Sequence, residues 1–429
     1  MKRYLFISIV ALFSFIQLSQ AQQKLSLTDA VEYAAKNRYD VQANKSDIEL
    51  AENAISKSRN EWIPELTASG ELLYNSQLQT MIFDNGEEFK MGTKNLTTLS
   101  LNLSQPIFKP GLSADIKINK AALSVQKEIS KDKENDIKIY VVEAYLNVIL
   151  RQQQLELSEE NVERYKSYFY LARDKMQLGT ILESELLQAQ TDYENSLINL
   201  QKAQQNYALA MKAMKYHLNM SDSEDLVLTD SLSVLLNNSP MKMQNANVED
   251  CPEVKQLYYS QQENDLRLKK SGIMWLPTLS LVANYTTEYQ ADNFRFSQKY
   301  WFPYNYVGLK ASFPLSNILK HRTDRREYQV KSSQLAMQYN QKLHDINYER
   351  NKYETELINT SGNINSTTRT LVLSKELYLQ QLAVYKLGTI SYSVLLDAES
   401  SVNTAEQNHI TAIYEYLIAY ANYTKAIGF

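Results

Sequence analysis

The sequence predicts a mostly α-helical chain that also carries about four membrane β-strands, in a barrel that can close only when several copies share it. Three observations predict this fold. Each half of the chain holds two stretches of period-two hydrophobic alternation. Helical periodicity fills nearly everything else, and only 10 Gly and 8 Pro interrupt 429 residues. After the N-terminal leader, no stretch offers the ~18 consecutive apolar residues of a spanning helix. A closed barrel is then the one remaining route into lipid, because lipid cannot satisfy an open sheet edge.

The leader comes first in the chain. Lys2 and Arg3 form a basic start, Tyr4 to Leu18 is apolar, and Ser19-Gln20-Ala21 has the small-x-small form of a cleavage site. Residues 1–21 therefore read as a signal peptide, with the mature chain outside the inner membrane. Formal net charge is −4, which argues against nucleic acid as a partner. The lone Cys251 excludes an internal disulfide and reads as a small buried hydrophobe. The 30 tyrosines suit surfaces that are half wet and half apolar.

The chain reads as a duplication. Asp40-Val41 recurs as Glu253-Val254, and Trp62-Ile63-Pro64 recurs as Trp275-Leu276-Pro277. Ser104-Gln105-Pro106-Ile107 recurs as Ser312-Phe313-Pro314-Leu315, and Leu178-Gly179-Thr180-Ile181 recurs as Leu387-Gly388-Thr389-Ile390. The offsets are 213, 213, 208 and 209. Residues 22–240 and 241–429 are expected to be two structural repeats, with a polar linker at Ser221 to Asp225.

Within each repeat the period changes twice. A helix capped by Thr28 or Asp29 should run in sections to about Asn60 and end at a proline, Pro64 or, in the second repeat, Pro277. Alternation follows. Leu66, Ala68, Gly70, Leu72 and Tyr74 share one face, and Leu99, Leu101 and Leu103 form a second strand. Leu279, Leu281, Ala283, Tyr285 and Tyr289, then Val307, Leu309, Ala311 and Phe313, repeat the pattern. Strands of about 10 residues can cross a bilayer when tilted. Phe83 to Lys90 and Phe294 to Tyr306 read as loops, with Trp301, Phe302, Tyr304 and Tyr306 in an interfacial girdle. The smallest single-chain barrels have about eight strands, so four demand oligomerisation.

Beyond Pro106, a 4-3 spacing runs from Ile137 through Val141, Ala144 and Val148 to Ala172 and Met176. Ala114 to Met176 contains no Gly or Pro, and such a helix would reach about 95 Å at 1.5 Å per residue. The last helix alternates large and small residues at Leu395, Ala398, Val402, Ala405 and His409. Asn359 to Arg369, which includes Gly362, is polar and is expected to be solvated.

The leader, the repeats and the Leu-Gly-Thr-Ile turns together resemble the TolC family of outer membrane efflux proteins, over essentially the whole mature chain. The most specific match is Tyr385-Lys386-Leu387-Gly388-Thr389 followed by Leu395-Leu396-Asp397-Ala398. The resemblance implies a homotrimer with a shared twelve-stranded barrel, continued by a helical coiled-coil tunnel through the periplasm. It implies a passive outer membrane duct for efflux or type I secretion, coupled to an inner-membrane transporter through a periplasmic adaptor. The adaptor would dock on the tips at Leu178, Gly179, Thr180, Ile181, Leu387, Gly388, Thr389 and Ile390. The constriction would comprise Asp397, Glu185, Tyr385 and Ser184, with Tyr385 bonded to Glu185. Two family positions depart: Val394 replaces a ring carboxylate and Ile390 replaces a tethering arginine.

The residues themselves leave a second reading, a periplasmic coiled-coil scaffold or adhesin without a pore. His217, His321, His344 and His409 are scattered without partners at ligand spacing, and no nucleophile or phosphate-loop motif occurs. No enzyme, metal site or cofactor is expected.

Overall fold

A computed structural model describes residues 23–84, 86–241, 247–293 and 301–427. The expected signal peptide at residues 1–21 lies outside them. In chain order the elements are β1 (Gln23–Leu25), α1 (Leu27–Asn37), α2 (Tyr39–Asn60), β2 (Glu65–Tyr74), β3 (Gln79–Ile82), β4 (Glu88–Met91), β5 (Asn95–Phe108), α3 (Leu112–Gln177) and α4 (Glu183–Leu218). There follow β6 (Leu226–Leu228), α5 (Leu232–Asn238), a 3-10 turn (Val248–Asp250), α6 (Pro252–Ser271), β7 (Thr278–Ala291), β8 (Trp301–Ser312), α7 (Asn317–Lys386) and α8 (Tyr392–Ala426).

The chain divides into two compact units. One comprises residues 46–128 and 255–340; the other comprises residues 1–45, 129–254 and 341–429.

The first unit holds a four-stranded sheet in the order β2-β5-β7-β8, antiparallel throughout. Its register carries the functional information. Leu66 pairs with Leu103, Leu103 with Ala283, and Ala283 with Val307. Ala68, Leu101, Tyr285 and Asn305 form the next row. Side chains alternate strictly between faces along a strand, so the apolar set of all four strands falls on one side. Ser69, Ser100 and Thr286 form a row of the opposite, polar side, where the Ser69 and Ser100 hydroxyls lie 2.7 Å apart. The apolar side is bare: Leu66, Leu72, Leu101, Val307 and Leu309 are all exposed. Among the described residues, the outer edges of β2 and β8 have no partner strand.

Three expectations change in this unit. The helix before the first strand ends at Asn60, and Trp62 and Ile63 close it with turn bonds to Arg59 and Asn60. Pro64 thus starts the extended segment rather than stopping the helix. The region 83–90 is only partly loop, because β3 and β4 pair as a separate hairpin. Trp301 to Tyr306 are not loop: they form the first half of β8, paired with Asn284 to Tyr289. Aromatic side chains favour a pleated surface, and the expected partner strand, which runs to Tyr289, pairs along its whole length. Residues 294–300 of that expected loop lie outside the described residues.

The second unit is built on helices and one small ladder. β1 and β6 pair in parallel over three residues, Gln23 to Leu226 through Leu25 to Leu228. They cover a core in which Ala30, Ala34, Val141, Tyr145, Val148, Met214, Leu218 and Leu357 are buried. Tyr145 ties this layer to α3: its hydroxyl donates to Asp230 Oδ2 at 2.9 Å and lies 3.2 Å from Leu25 O. The same carboxylate accepts Leu27 N at 2.7 Å.

The cap of α1 is Ser26, not Thr28 or Asp29. Ser26 Oγ accepts Asp29 N at 3.3 Å while Ser26 N donates back to Asp29 Oδ2 at 3.2 Å. Asp29 is the reciprocal member of a capping box, and these bonds hold its carboxyl below the usual value. The segment after Asp225 is also more than linker, since it supplies β6 and α5. Cys251 is buried and unoxidised.

The polar stretch 359–369 remains helical within α7. Thr360, Ser366, Thr367 and Thr368 donate to the carbonyls four residues earlier, at 2.7–3.2 Å. Such back-bonds satisfy hydroxyls without solvent. Thr360, Ser361, Ile364 and Thr367 are half-buried, so one side of the stretch packs and only the other is solvated.

Candidate functional site

The two tips share one backbone solution. At the end of α3, Gly179 N donates to Met176 O at 2.9 Å and Thr180 N donates to Lys175 O at 3.0 Å. At the end of α7, Gly388 N donates to Tyr385 O at 3.0 Å and Thr389 N donates to Val384 O at 3.4 Å. This is the Schellman closure, which needs a left-handed residue just past the helix. Gly179 and Gly388 supply it, with φ of 72° and 80°. Each threonine hydroxyl donates to the same carbonyl as its own amide. The Leu-Gly-Thr motif is thus a helix stop with every part used.

The apolar residues beside the glycines divide by role. Leu178 and Leu387 are 78% and 80% exposed, whereas Ile181 and Ile390 turn inward onto a small core. Tyr168, Ala172, Ala189, Tyr385, Tyr392 and Leu395 form that core. Ile390 therefore has a packing role, where a tether position was expected.

Of the expected constriction residues, Asp397 and Ser184 are exposed, Glu185 is half-buried and Tyr385 is buried. Val394, one turn before Asp397, is 40% exposed. The expected Tyr385–Glu185 hydrogen bond is not made: the Tyr385 hydroxyl is buried without a partner. Burial first, and then the Glu185 charge, push the Tyr385 hydroxyl pKa up. Tyr385 is held instead through its other parts. Lys175 Nζ donates to Tyr385 O at 2.5 Å and lies 3.9 Å from the ring centroid. Because its hydroxyl has no partner to lose, Tyr385→Phe is expected to change the unfolding free energy by less than about 0.5 kcal/mol. A thermal melt of the two proteins checks it.

Above the tip lies a charged cluster that the sequence reading missed. Arg164 of α3 reaches two carboxylates of α8. Its Nε is 3.0 Å from Glu399 Oε1, close but not aligned as a hydrogen bond, and its Nη2 is 3.3 Å from Glu406 Oε2. Lys375 of α7 reaches Glu406 Oε1 at 2.9 Å. Tyr168 donates to Glu399 Oε2 at 3.1 Å and also meets the Tyr378 hydroxyl. Nearby, Asn161 Nδ2 donates to Asn403 Oδ1 at 3.0 Å, and Tyr392 donates to Asp192 Oδ2 at 3.1 Å. The Glu399 side chain is wholly buried. Burial raises its pKa, against the pull of Arg164 and the Tyr168 bond. Burial likewise raises Tyr165, to about 12. One signal was available in the sequence: Glu399 and Glu406 stand seven apart beside the Leu395–Val402 seam, where solvated charge is not expected.

None of these groups forms a reactive constellation. What they build is a firmly packed set of helices ending in two exposed turns.

The pattern of a family described as "Outer membrane efflux protein" matches residues 30–219. The Escherichia coli (strain K12) outer membrane protein TolC is 21% identical over 98% of this chain and 85% of its own. The alkaline protease secretion protein AprF of Pseudomonas aeruginosa is 20% identical over 92% of this chain and 83% of its own. The Campylobacter jejuni CmeC outer membrane channel superimposes with a TM-score of 0.76 at 16% identity, covering 94% of this chain and 85% of that one. The chain is thus similar to the outer membrane efflux family over residues 30–219. Its sheet and long helices have the fold of solved outer membrane channels.

Proposed function

We propose that three copies of this chain share one twelve-stranded barrel and form a passive exit duct. The work would come from an inner-membrane transporter, relayed by a periplasmic adaptor. One observation carries the reading: a four-stranded sheet with a continuous apolar face and, among the described residues, two unpaired edges. Such a sheet cannot face lipid alone, because each edge exposes a row of unsatisfied amides and carbonyls. Joining β8 of one copy to β2 of the next satisfies both edges at once. Three copies exceed the roughly eight strands that a small barrel needs. The leader at residues 1–21 fits delivery beyond the inner membrane, and repeats at 22–240 and 241–429 explain why each copy supplies two strand pairs.

The tips are the proposed working end. Leu178 and Leu387 extend into solvent beside rigid turns and offer an adaptor two matched apolar contacts. Asp397, exposed on α8, would meet its symmetry copies at the tunnel mouth and favour cations. Val394 adds no second ring of charge.

Single-channel recording in planar bilayers tests the duct and its mouth together. The wild-type protein is expected to conduct and to prefer cations. Asp397→Ala is expected to conduct with that preference reduced. A protein that stays soluble without detergent and never conducts would overturn the duct, and unchanged selectivity in Asp397→Ala would overturn the mouth.

A further inference from the structure

We infer that Phe302, Tyr304 and Tyr306, together with Glu288, form a binding site for organic cations that carry an aromatic ring, on the inner wall of the barrel. The inference rests on the duct reading, which makes the polar face of the sheet the wall that cargo passes.

Register places the rings. Trp301 pairs with Tyr289 and shares the side of Val307 and Leu309, whereas Phe302, Tyr304 and Tyr306 alternate onto the opposite, polar side. Of the four aromatics expected in a lipid-facing girdle, only Trp301 keeps that face. Glu71, Thr98, Glu288 and Phe302 make one row across the sheet. Ser69, Ser100, Thr286 and Tyr304 make the next, and Thr67, Asn102, Asn284 and Tyr306 the third. The Tyr304 hydroxyl donates to Glu288 Oε1 at 3.4 Å, so ring and carboxylate meet on that side. Phe302, Tyr304 and Tyr306 are 54%, 49% and 54% exposed. Water and small ions need no rings on the wall they pass.

Charge selects the ligand. Every charged residue of the four sheet strands, Glu65, Glu71, Glu288 and Lys310, lies on the polar face. The two in the rows of the rings, Glu71 and Glu288, are acidic. Lys310 stands four residues beyond Tyr306, about 14 Å along the strand. Gln290 Nε2 donates to Glu288 Oε2 at 3.0 Å, so each oxygen of that carboxylate has its own donor and the group is held in place beside the rings. Ring faces attract cations through their quadrupole, and the carboxylate adds to the attraction. Rings at alternate positions of a strand stand about 7 Å apart, which leaves room for a flat ring in van der Waals contact with both. An anion of the same shape would meet the Glu288 charge and be refused.

Phenyltrimethylammonium is the probe. It is titrated calorimetrically into the purified protein in detergent, and added to planar bilayers during conductance recording. The wild type is expected to bind it and to show current interruptions that lengthen in total with its concentration. Benzoate keeps the ring and reverses the charge, and tetramethylammonium keeps the charge and lacks the ring; both are expected to bind several-fold more weakly. The triple variant Phe302→Leu, Tyr304→Leu, Tyr306→Leu is expected to bind the probe on the order of tenfold more weakly. Tyr306→Leu alone, which serves if the triple variant does not assemble, should cost about threefold. Glu288→Gln should also weaken the probe, whereas Trp301→Leu, which removes a ring from the other face, should leave binding as in the wild type. If the ring variants bind as tightly as the wild type, or benzoate binds as tightly as the probe, the site is wrong. If binding depends on the rings but no protein conducts, the site stands on an open sheet face and the duct reading fails.

Discussion

Arg164→Ala is expected to destabilise the protein by about 3–5 kcal/mol, the largest effect of any single truncation among the helices. The side chain itself is not the main loss. Glu399 has no solvent exposure at its side chain, and Arg164 is its cationic partner. Removing the arginine leaves a buried carboxylate with only the Tyr168 hydroxyl to answer it. Glu406 suffers less, because Lys375 remains at 2.9 Å. Thermal unfolding of the detergent-solubilised protein measures the deficit. Two companions make the test specific. Arg164→Leu combined with Glu399→Leu removes both charges and should recover most of the loss, since apolar replacement of a buried pair is often neutral or better. The deficit should also shrink in acid. Glu399 has a folded pKa above its ordinary 4.5, chiefly from burial. The folded state therefore binds its proton more tightly, and this group favours folding at low pH and loses that contribution as pH rises through the folded value. Arg164→Ala raises the folded value further, so the variant gains more from acidification than the wild type does. A deficit that is the same at neutral and acidic pH would show that Glu399 does not drive it.

The second large effect concerns the sheet. Leu101→Arg is expected to cost about 2–4 kcal/mol near the bilayer midplane and to abolish heat-modifiable trimers in detergent. Leu101 is central in β5, flanked by Ala68 and Tyr285 on the bare apolar face. Ser100→Arg changes the very next residue, but on the polar face. Its loss is limited to the hydroxyl contact with Ser69, about 1 kcal/mol, and its cation would extend into the water-filled lumen. Trimers should therefore survive Ser100→Arg and fail with Leu101→Arg. The reverse result would invert the two faces, and equal tolerance would mean that neither face meets lipid.

Expectation and structure diverge in a regular way. The helices beyond Leu112, the four sheet strands and the glycine turns were legible because each is written in a local pattern. Leu99, Leu101 and Leu103 alternate, Ile137 to Met176 repeat by fours and threes, and Gly179 and Gly388 stand where a helix must reverse. The cap at Ser26 and the strand at Trp301 to Tyr306 were misread although local, because Asp29 resembles a cap itself and aromatic residues resemble a girdle. Of the charged cluster only the heptad spacing of Glu399 and Glu406 was legible, and their partner was not. Arg164 sits on α3 and Glu399 on α8, 235 residues later in the chain, and Arg164 looks like a solvated charge until the helices are packed.

Period and turn chemistry, then, belong to the sequence alone: which stretches coil, which extend, where the chain turns, and that four strands leave two edges to satisfy. Partner choice belongs to the tertiary structure. Which ammonium meets Tyr385, which carboxylate is sealed from water, and which face of the sheet carries most of the leucines depend on register and burial. Those are set by residues hundreds of positions apart, because a charge or a hydrophobe acquires its energy only from what surrounds it after folding.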